Sequence, residues 1–133
     1  MQSALPLTQR SDSRNWGPWS VKDGVNYAHA PACVLEKIVA LRLHLDPSTE
    51  SNGPLRIIPG SHLTGVLNDD EVHSFAHQKA ATACLVAQGG ILAMRPLLIH
   101  ASSKALTDQP RRVLHIEYAD RLDIGDGIEL AQV

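Results

Sequence analysis

Positions 41–46 alternate strictly between apolar and ionisable side chains, and this alternation constrains the fold most. Leucines at the odd positions are interleaved with Arg42, His44 and Asp46. Successive side chains of a β-strand point to opposite faces, so the two sets lie on opposite sides of one strand. The segment 33–46 is therefore predicted to be a strand. Its polar face is unusual, because three ionisable groups share one side of a strand expected to lie in the interior.

Short β segments bounded by glycine and proline turns recur along the chain. Asn68, with Glu71 three residues later, predicts a capped helix of about two to three turns. A doubly wound α/β fold needs a helix after nearly every strand, so the pattern favours a mainly all-β jelly roll with one short helix, in which 1–133 form a single domain. Further strands are predicted at 55–58, 82–86, 91–94, 97–101 and 111–119, and residues 1–31 are predicted to be an irregular arm with at most one short strand near 25–28.

The composition narrows the possible partners and compartment. The 133 residues carry a formal net charge of -2 and no basic block, so neither nucleic acid nor an anionic membrane is expected as a partner. No apolar run approaches the roughly 20 residues of a membrane helix, and no signal peptide is visible at the start. Cys33 and Cys84 stand far apart in apolar surroundings, which indicates buried free thiols. We therefore expect a cytoplasmic protein.

Two motifs resemble one known family. The first is Leu45-Asp46 followed by Ser-Asn-Gly-Pro-Leu-Arg-Ile-Ile-Pro-Gly-Ser-His at 51–62. The second is Gly-Gly-Ile-Leu-Ala-Met-Arg-Pro-Leu-Leu-Ile-His at 89–100, followed by arginines at 111 and 112. In order and spacing they resemble the phytanoyl-CoA dioxygenase-like family of iron(II)/2-oxoglutarate oxygenases, over roughly residues 15–119. The resemblance implies a double-stranded β-helix, the jelly roll of cupin-like proteins. The first motif is interpreted as structural, because its glycines and prolines make tight turns.

The same resemblance implies a set of site residues. His100 corresponds to the distal histidine of a two-histidine, one-carboxylate iron site. Arg111 corresponds to the arginine that binds the distal carboxylate of 2-oxoglutarate, and a guanidinium suits this role because it donates two parallel hydrogen bonds. Ser102 corresponds to a residue that assists this contact, and Arg42 lies where some relatives place an aromatic residue that contacts 2-oxoglutarate. Iron(II) and 2-oxoglutarate are thus the implied cofactors, with a small molecule as substrate.

The family's other two iron ligands belong to an upstream His-x-Asp motif, which the alignment places on Met1 and Ser3. Neither side chain can replace its counterpart, because a thioether is a poor iron(II) ligand here and a serine hydroxyl is neutral. We therefore expect an N-terminally truncated chain that lacks the family's first elements and has impaired activity, unless the start codon is misplaced and the preceding DNA encodes the motif. Three alternative metal sites remain open within the chain: His44 with Asp46, His115 with Glu117, and the pair His73 and His77 on the predicted helix.

Two functions follow from these observations. The first is an oxygenase that hydroxylates a C–H bond of a small molecule with iron and 2-oxoglutarate. The second is a non-catalytic remnant or small-molecule binding module that keeps the 2-oxoglutarate end of the pocket around Arg111. Because the family's first strands are absent, a sheet edge is expected to be uncovered, and a homodimer, formed by exchange of the N-terminal arm, is expected to cover it.

Overall fold

The computed structural model describes residues 4–132, which form nine β-strands, two α-helices and one 3-10 helix. No helix among these residues is long and apolar enough to span a membrane. In chain order the elements are β1 (Ala4–Leu7), β2 (Trp19–Lys22), β3 (Val25–His29), α1 (Ala32–Leu35), β4 (Val39–His44), β5 (Leu55–Ile57), the 3-10 helix (Ser61–Thr64), α2 (Asp69–Gln78), β6 (Thr82–Cys84), β7 (Ile91–Met94), β8 (His100–Ser102) and β9 (Val113–Tyr118).

Two antiparallel three-stranded sheets position the residues of the two motifs. In one, β4 lies between β7 and β9; in the other, β5 lies between β6 and β8. Ala40 and Met94 of the first sheet form a buried apolar cluster with Leu55 of the second. The sheets therefore pack face to face, as the halves of a jelly roll do. The predicted mainly-β fold with one short capped helix is confirmed.

The alternation at 41–46 has its polar side inside. His44 is only 1% exposed, whereas Leu45 is 45% exposed. Ala40 lies on the same face of β4 as Arg42 and His44 and packs against Leu55 of the second sheet, so Arg42 and His44 are directed between the sheets. Apolar residues occupy the outer face instead, and several of them are solvent-exposed, namely Ile91 on β7 and Leu114, Ile116 and Tyr118 on β9.

The prediction of an irregular N-terminal arm is wrong. Residues 4–29 contain a third sheet in which β3 lies between β1 and β2. Leu5 and Leu7 are buried in a second core cluster together with Leu35 and Ile128. β1 has only four residues, which is too short for an alternation of apolar and polar side chains to be recognised in the sequence. The apolar residues that it packs against lie far away in the sequence. The strand predicted near 25–28 is confirmed as β3.

Several predicted boundaries also shift. The first part of the strand predicted at 33–46 is the helical turn α1, so β4 begins only at Val39. The strand predicted at 97–101 is β8, which begins at His100. The capping box is confirmed, because the Asn68 side chain accepts from the Glu71 backbone N–H at 2.9 Å and the Glu71 carboxylate accepts from the Asn68 N–H at 2.8 Å. Both cysteines are free, but Cys33 is exposed and not buried.

Candidate functional site

His100 stands at the start of β8, where a backbone contact holds its imidazole ring. Its Nδ1 lies 2.7 Å from the carbonyl oxygen of Leu98. A carbonyl can only accept, so Nδ1 carries the proton in this contact and the neutral ring has its lone pair on Nε2. Burial, and to a smaller degree the charges of Arg42 and His115, lower the pKa of His100, although the Leu98 contact acts in the opposite direction. The ring is therefore neutral at physiological pH, as metal ligation requires.

Ser61 of the Pro-Gly-Ser-His motif holds the segment that leads to His100. Ser61 is fully buried. Its hydroxyl donates to the Ile58 carbonyl at 2.7 Å and accepts from the Ile99 backbone N–H at 2.8 Å. The motif thus has a structural role that also fixes the backbone immediately before the candidate ligand.

Arg111 and Ser102 lie side by side. A guanidinium Nη2 of Arg111 donates to the Ser102 hydroxyl at 3.4 Å, which is a long hydrogen bond. The Arg111 Nε atom is buried and has no hydrogen-bond partner among the described residues. Buried donors are normally satisfied, so this guanidinium nitrogen is a donor that an external acceptor would satisfy. These two residues fit one carboxylate of 2-oxoglutarate.

Arg42 lies on the face of β4 that is directed between the sheets. It lies directly across from His115 on β9 and donates from Nη1 to the His115 Nδ1 at 3.3 Å. Because a guanidinium only donates, the proton of His115 is on Nε2, which lies 3.4 Å from the Glu117 carboxylate. Burial, and next the charge of Arg111, lower the pKa of Arg42. Arg42, His115 and Glu117 therefore form one connected polar row.

Asp46 is not available as a metal ligand. Its carboxylate accepts three hydrogen bonds of 2.8 Å from Arg112: one from the backbone N–H, one from Nε and one from Nη2. These bonds hold the pKa of Asp46 at about 2. The Arg112 side chain is 71% exposed, yet it forms a bidentate ion pair with Asp46.

The residues that the structure describes contain no group of three His, Cys, Asp or Glu side chains that could hold a metal ion. The site of His44 and Asp46 with His100 is therefore not formed, and neither is a site around His115 and Glu117. His73 and His77 are exposed on α2. Met1 and Ser3, where the His-x-Asp motif aligns, lie outside the described residues. Residues 4–132 alone therefore do not form the family's three-ligand iron site.

The Asp46–Arg112 pair predicts a specific pH dependence of stability. The folded-state pKa of Asp46, about 2, lies below its ordinary value of 3.8, so the pair contributes its full stabilisation above pH 4 and loses it as the pH falls towards 2. Asp46→Asn is expected to lower the melting temperature by a few degrees at pH 7. Thermal melts from pH 7 to pH 2 should show this difference shrinking below pH 4. A difference that stays constant down to pH 2 would contradict the assignment.

A cavity of about 890 Å³ lies beside the polar row, between β9 and the N-terminal sheet. Both faces of β9 line it, the inward face with His115 and Glu117 and the outward face with Leu114, Ile116 and Tyr118. Tyr27 and Lys22 line it from the N-terminal sheet. Its volume falls in the range of small-molecule sites. Another cavity, of about 410 Å³ between α1 and residues 119–125, is lined by none of the residues that the motifs indicate.

Known proteins share this fold and show the family of the chain. The mainly-β jelly roll is the fold of cupin-like oxygenases of known structure. Residues 15–113 match the sequence profile of the phytanoyl-CoA dioxygenase (PhyH) family. The chain belongs to that family.

Three relatives illustrate the match. L-proline trans-4-hydroxylase of Streptomyces griseoviridis is 27% identical over 143 residues, which cover 88% of this chain and 53% of that protein. AviO1 of Streptomyces viridochromogenes is 28% identical with a TM-score of 0.57, covering 90% of this chain and 44% of AviO1. EctD of S. alaskensis, solved with 2-oxoglutarate and 5-hydroxyectoine, is 26% identical with a TM-score of 0.55, covering 62% of this chain and 30% of EctD. The chain thus spans about half the length of the curated relative.

Proposed function

We propose that this chain contributes the 2-oxoglutarate half of an oxygenase site that hydroxylates a C–H bond of a small molecule. The observation that carries the proposal is the pairing of Arg111 with Ser102 at hydrogen-bond distance, two residues along β8 from His100. Arg111 binds and orients the distal carboxylate, Ser102 supports it, and His100 offers a neutral imidazole. Bound iron with 2-oxoglutarate would supply the oxidising chemistry. The two further iron ligands would come from outside residues 4–132 or from a partner subunit.

The test is succinate formation. The chain is mixed with iron(II), 2-oxoglutarate and ascorbate, with and without candidate substrates. L-proline is a reasonable first candidate, since it is the substrate named for the relative. We expect succinate above the background of Arg111→Met, and more of it when a true substrate is present. No succinate at any iron concentration would contradict oxygenase activity of this chain.

A second candidate function is a non-catalytic small-molecule binding module. Two observations favour it. Residues 4–132 contain no group of three side chains that could bind a metal ion, and the Asp46 carboxylate is hydrogen-bonded to Arg112. Under this alternative, 2-oxoglutarate binds to the chain but succinate is never formed. Binding measured by calorimetry next to the succinate assay separates the two functions.

We also propose that the chain forms a homodimer through the outer face and free edge of β9. Leu114, Ile116 and Tyr118 are exposed there, and β9 pairs with β4 alone among the described strands. An exposed apolar edge strand is a template for association. Exchange of the N-terminal arm is not needed, since β1 and β3 pair within the chain. Light scattering should give about twice 14.4 kDa, and Ile116→Lys should give a monomer. A monomeric parent chain would refute the dimer.

A further inference from the structure

A further cavity, of about 470 Å³, lies beside the ends of β5 and β7. Most of its lining is apolar and includes Ile57, Met94 and Leu98. Two polar side chains line it as well, namely His62 of the Pro-Gly-Ser-His motif and Arg95, which directly follows β7. No aspartate or glutamate within residues 4–132 lines it. A mostly apolar cavity of this volume with a few polar groups is typical of small-molecule sites.

Arg95 brings a positive charge that no carboxylate of the described residues pairs with. Its Nη1 donates to the main-chain carbonyl of Glu36 at 3.0 Å and, in a longer contact of 3.5 Å, to that of Ile38. These contacts satisfy carbonyls at the end of α1 and use only one of the three guanidinium nitrogens. The guanidinium therefore keeps donors for an anionic acceptor.

His62 contributes a polar atom without a partner. Its Nδ1 is buried and has no hydrogen-bond partner among the described residues. The backbone before it is fixed, because the Ser61 hydroxyl bonds to the Ile58 carbonyl and to the Ile99 N–H. His62 and Arg95 also both line a neighbouring cavity of about 280 Å³, so the two side chains lie where the two cavities meet. A buried ring nitrogen without a partner costs free energy, which a hydrogen bond to a ligand would recover.

The 470 Å³ cavity lies next to the segment that carries His100. Leu98 lines the cavity, and its carbonyl accepts the Nδ1–H of His100 at 2.7 Å. Ile57 lines it too and is the cross-strand partner of His100, so the two side chains share one face of the sheet. Arg111 and Ser102 are not among its lining residues. The cavity is therefore adjacent to His100 without using the pair proposed to bind 2-oxoglutarate.

We propose that this cavity binds a small carboxylic acid with an apolar body, with Arg95 and His62 holding the carboxylate and Ile57, Met94 and Leu98 contacting the hydrocarbon part. The carboxylate supplies the negative charge that the lining lacks, and the hydrocarbon part displaces water from the apolar walls. The binding itself uses neither Arg111 nor Ser102 and does not depend on the proposed function. Only the further step, that this acid is the molecule hydroxylated, rests on the proposed function.

Methyl NMR of the full chain tests the binding, because the chain has two methionines and one of them, Met94, lines the cavity. The methionine methyl groups are isotope-labelled, and the Met94 signal is assigned with Met94→Leu. The probes are cyclopentanecarboxylate, its neutral amide and acetate. We expect a saturable shift of the Met94 signal with cyclopentanecarboxylate. The amide lacks the charge and acetate lacks the apolar body, so each should bind at least about 5-fold more weakly. A Met94 signal that does not move, or equal affinities for the acid and its amide, would overturn the inference.

Variants locate the carboxylate. Arg95→Gln and His62→Phe should each weaken cyclopentanecarboxylate by about 5-fold. Arg56→Gln is the matched control, because Arg56 is exposed on β5 and does not line the cavity, and it should leave the affinity unchanged. Arg111→Met should leave it unchanged as well. If Arg95→Gln does not fold, because its contacts to α1 are lost, Arg95→Lys and the comparison of acid with amide on the unmodified chain still decide the question.

The outcomes separate this inference from the proposed function. A loss of affinity in Arg111→Met with none in Arg95→Gln would mean that the acid binds at Arg111, which would overturn the inference and leave the proposed function standing. Binding that depends on Arg95, together with no succinate in the assay described above, would support this cavity as a binding site and remove the oxygenase activity.

Discussion

Replacing Arg111 with methionine is expected to weaken 2-oxoglutarate binding by about 100-fold or more. Methionine keeps a similar apolar stem but removes the guanidinium, which is the group that would pair with the distal carboxylate. A charge-assisted hydrogen bond contributes about 1.5–3 kcal/mol, and a bidentate pair contributes two such bonds. The measurement is the dissociation constant by calorimetry, with the melting temperature recorded to exclude unfolding.

Two further variants sharpen this prediction. Arg111→Lys keeps the charge but not the fork geometry, so an intermediate loss of about 10-fold is expected. Arg56→Met removes an arginine from the outer face of the facing sheet and should leave the dissociation constant unchanged. Equal losses in Arg111→Met and Arg56→Met would mean that only the net charge of the chain matters, and the assignment of Arg111 would be wrong.

Gly53→Ala is expected to be the most destabilising single change in the first motif, costing about 3–5 kcal/mol. Gly53 has a φ of 76°, and an added Cβ would lie 2.6 Å from the carbonyl oxygen of Ser103 and 3.2 Å from the Ala105 nitrogen. Both neighbours are backbone atoms, which cannot rotate away. The clash would displace the segment 103–110, which leads directly to Arg111. Denaturant unfolding measures the cost, and a weaker affinity for 2-oxoglutarate should accompany it.

Gly60→Ala is the matched control. Gly60 has a similar φ of 79°, but an added Cβ would meet no atom within 4 Å. It therefore isolates the cost of the left-handed backbone alone, about 1–2 kcal/mol. A Gly53→Ala cost equal to that of Gly60→Ala would show that the close approach to residue 103 is absent in solution.

The sequence predicted those parts of the fold that are formed by residues close together in the chain. The alternation around Arg42 and His44 is visible over six residues, and the Asn68–Glu71 capping box involves residues only three apart. Both are confirmed. The resemblance led to Arg42, Ser102, His100 and Arg111. In the structure Arg111 contacts Ser102, which lies two residues along β8 from His100, and Arg42 contacts His115 on the neighbouring strand β9. Their roles as ligand-binding residues remain proposals.

The features that the sequence missed depend on contacts between distant segments. The N-terminal sheet is stabilised by packing of Leu5 and Leu7 against Leu35 and Ile128. No periodic pattern within a short segment of the sequence predicts such packing. The ion pair between Arg112 and Asp46 joins residues 66 positions apart, so no local sequence pattern predicts it. The serine of the Pro-Gly-Ser-His motif was recognised as part of a turn. Its bond to the Ile99 N–H, which fixes the approach to His100, could not be foreseen without the fold.

The most direct test of 2-oxoglutarate binding is a crystal structure of the chain with this ligand. We expect one carboxylate of the ligand within hydrogen-bond distance of the Arg111 guanidinium and the Ser102 hydroxyl, with the rest of the molecule extending towards His100. A ligand bound elsewhere, or bound between the sheets without contact to Arg111, would contradict it.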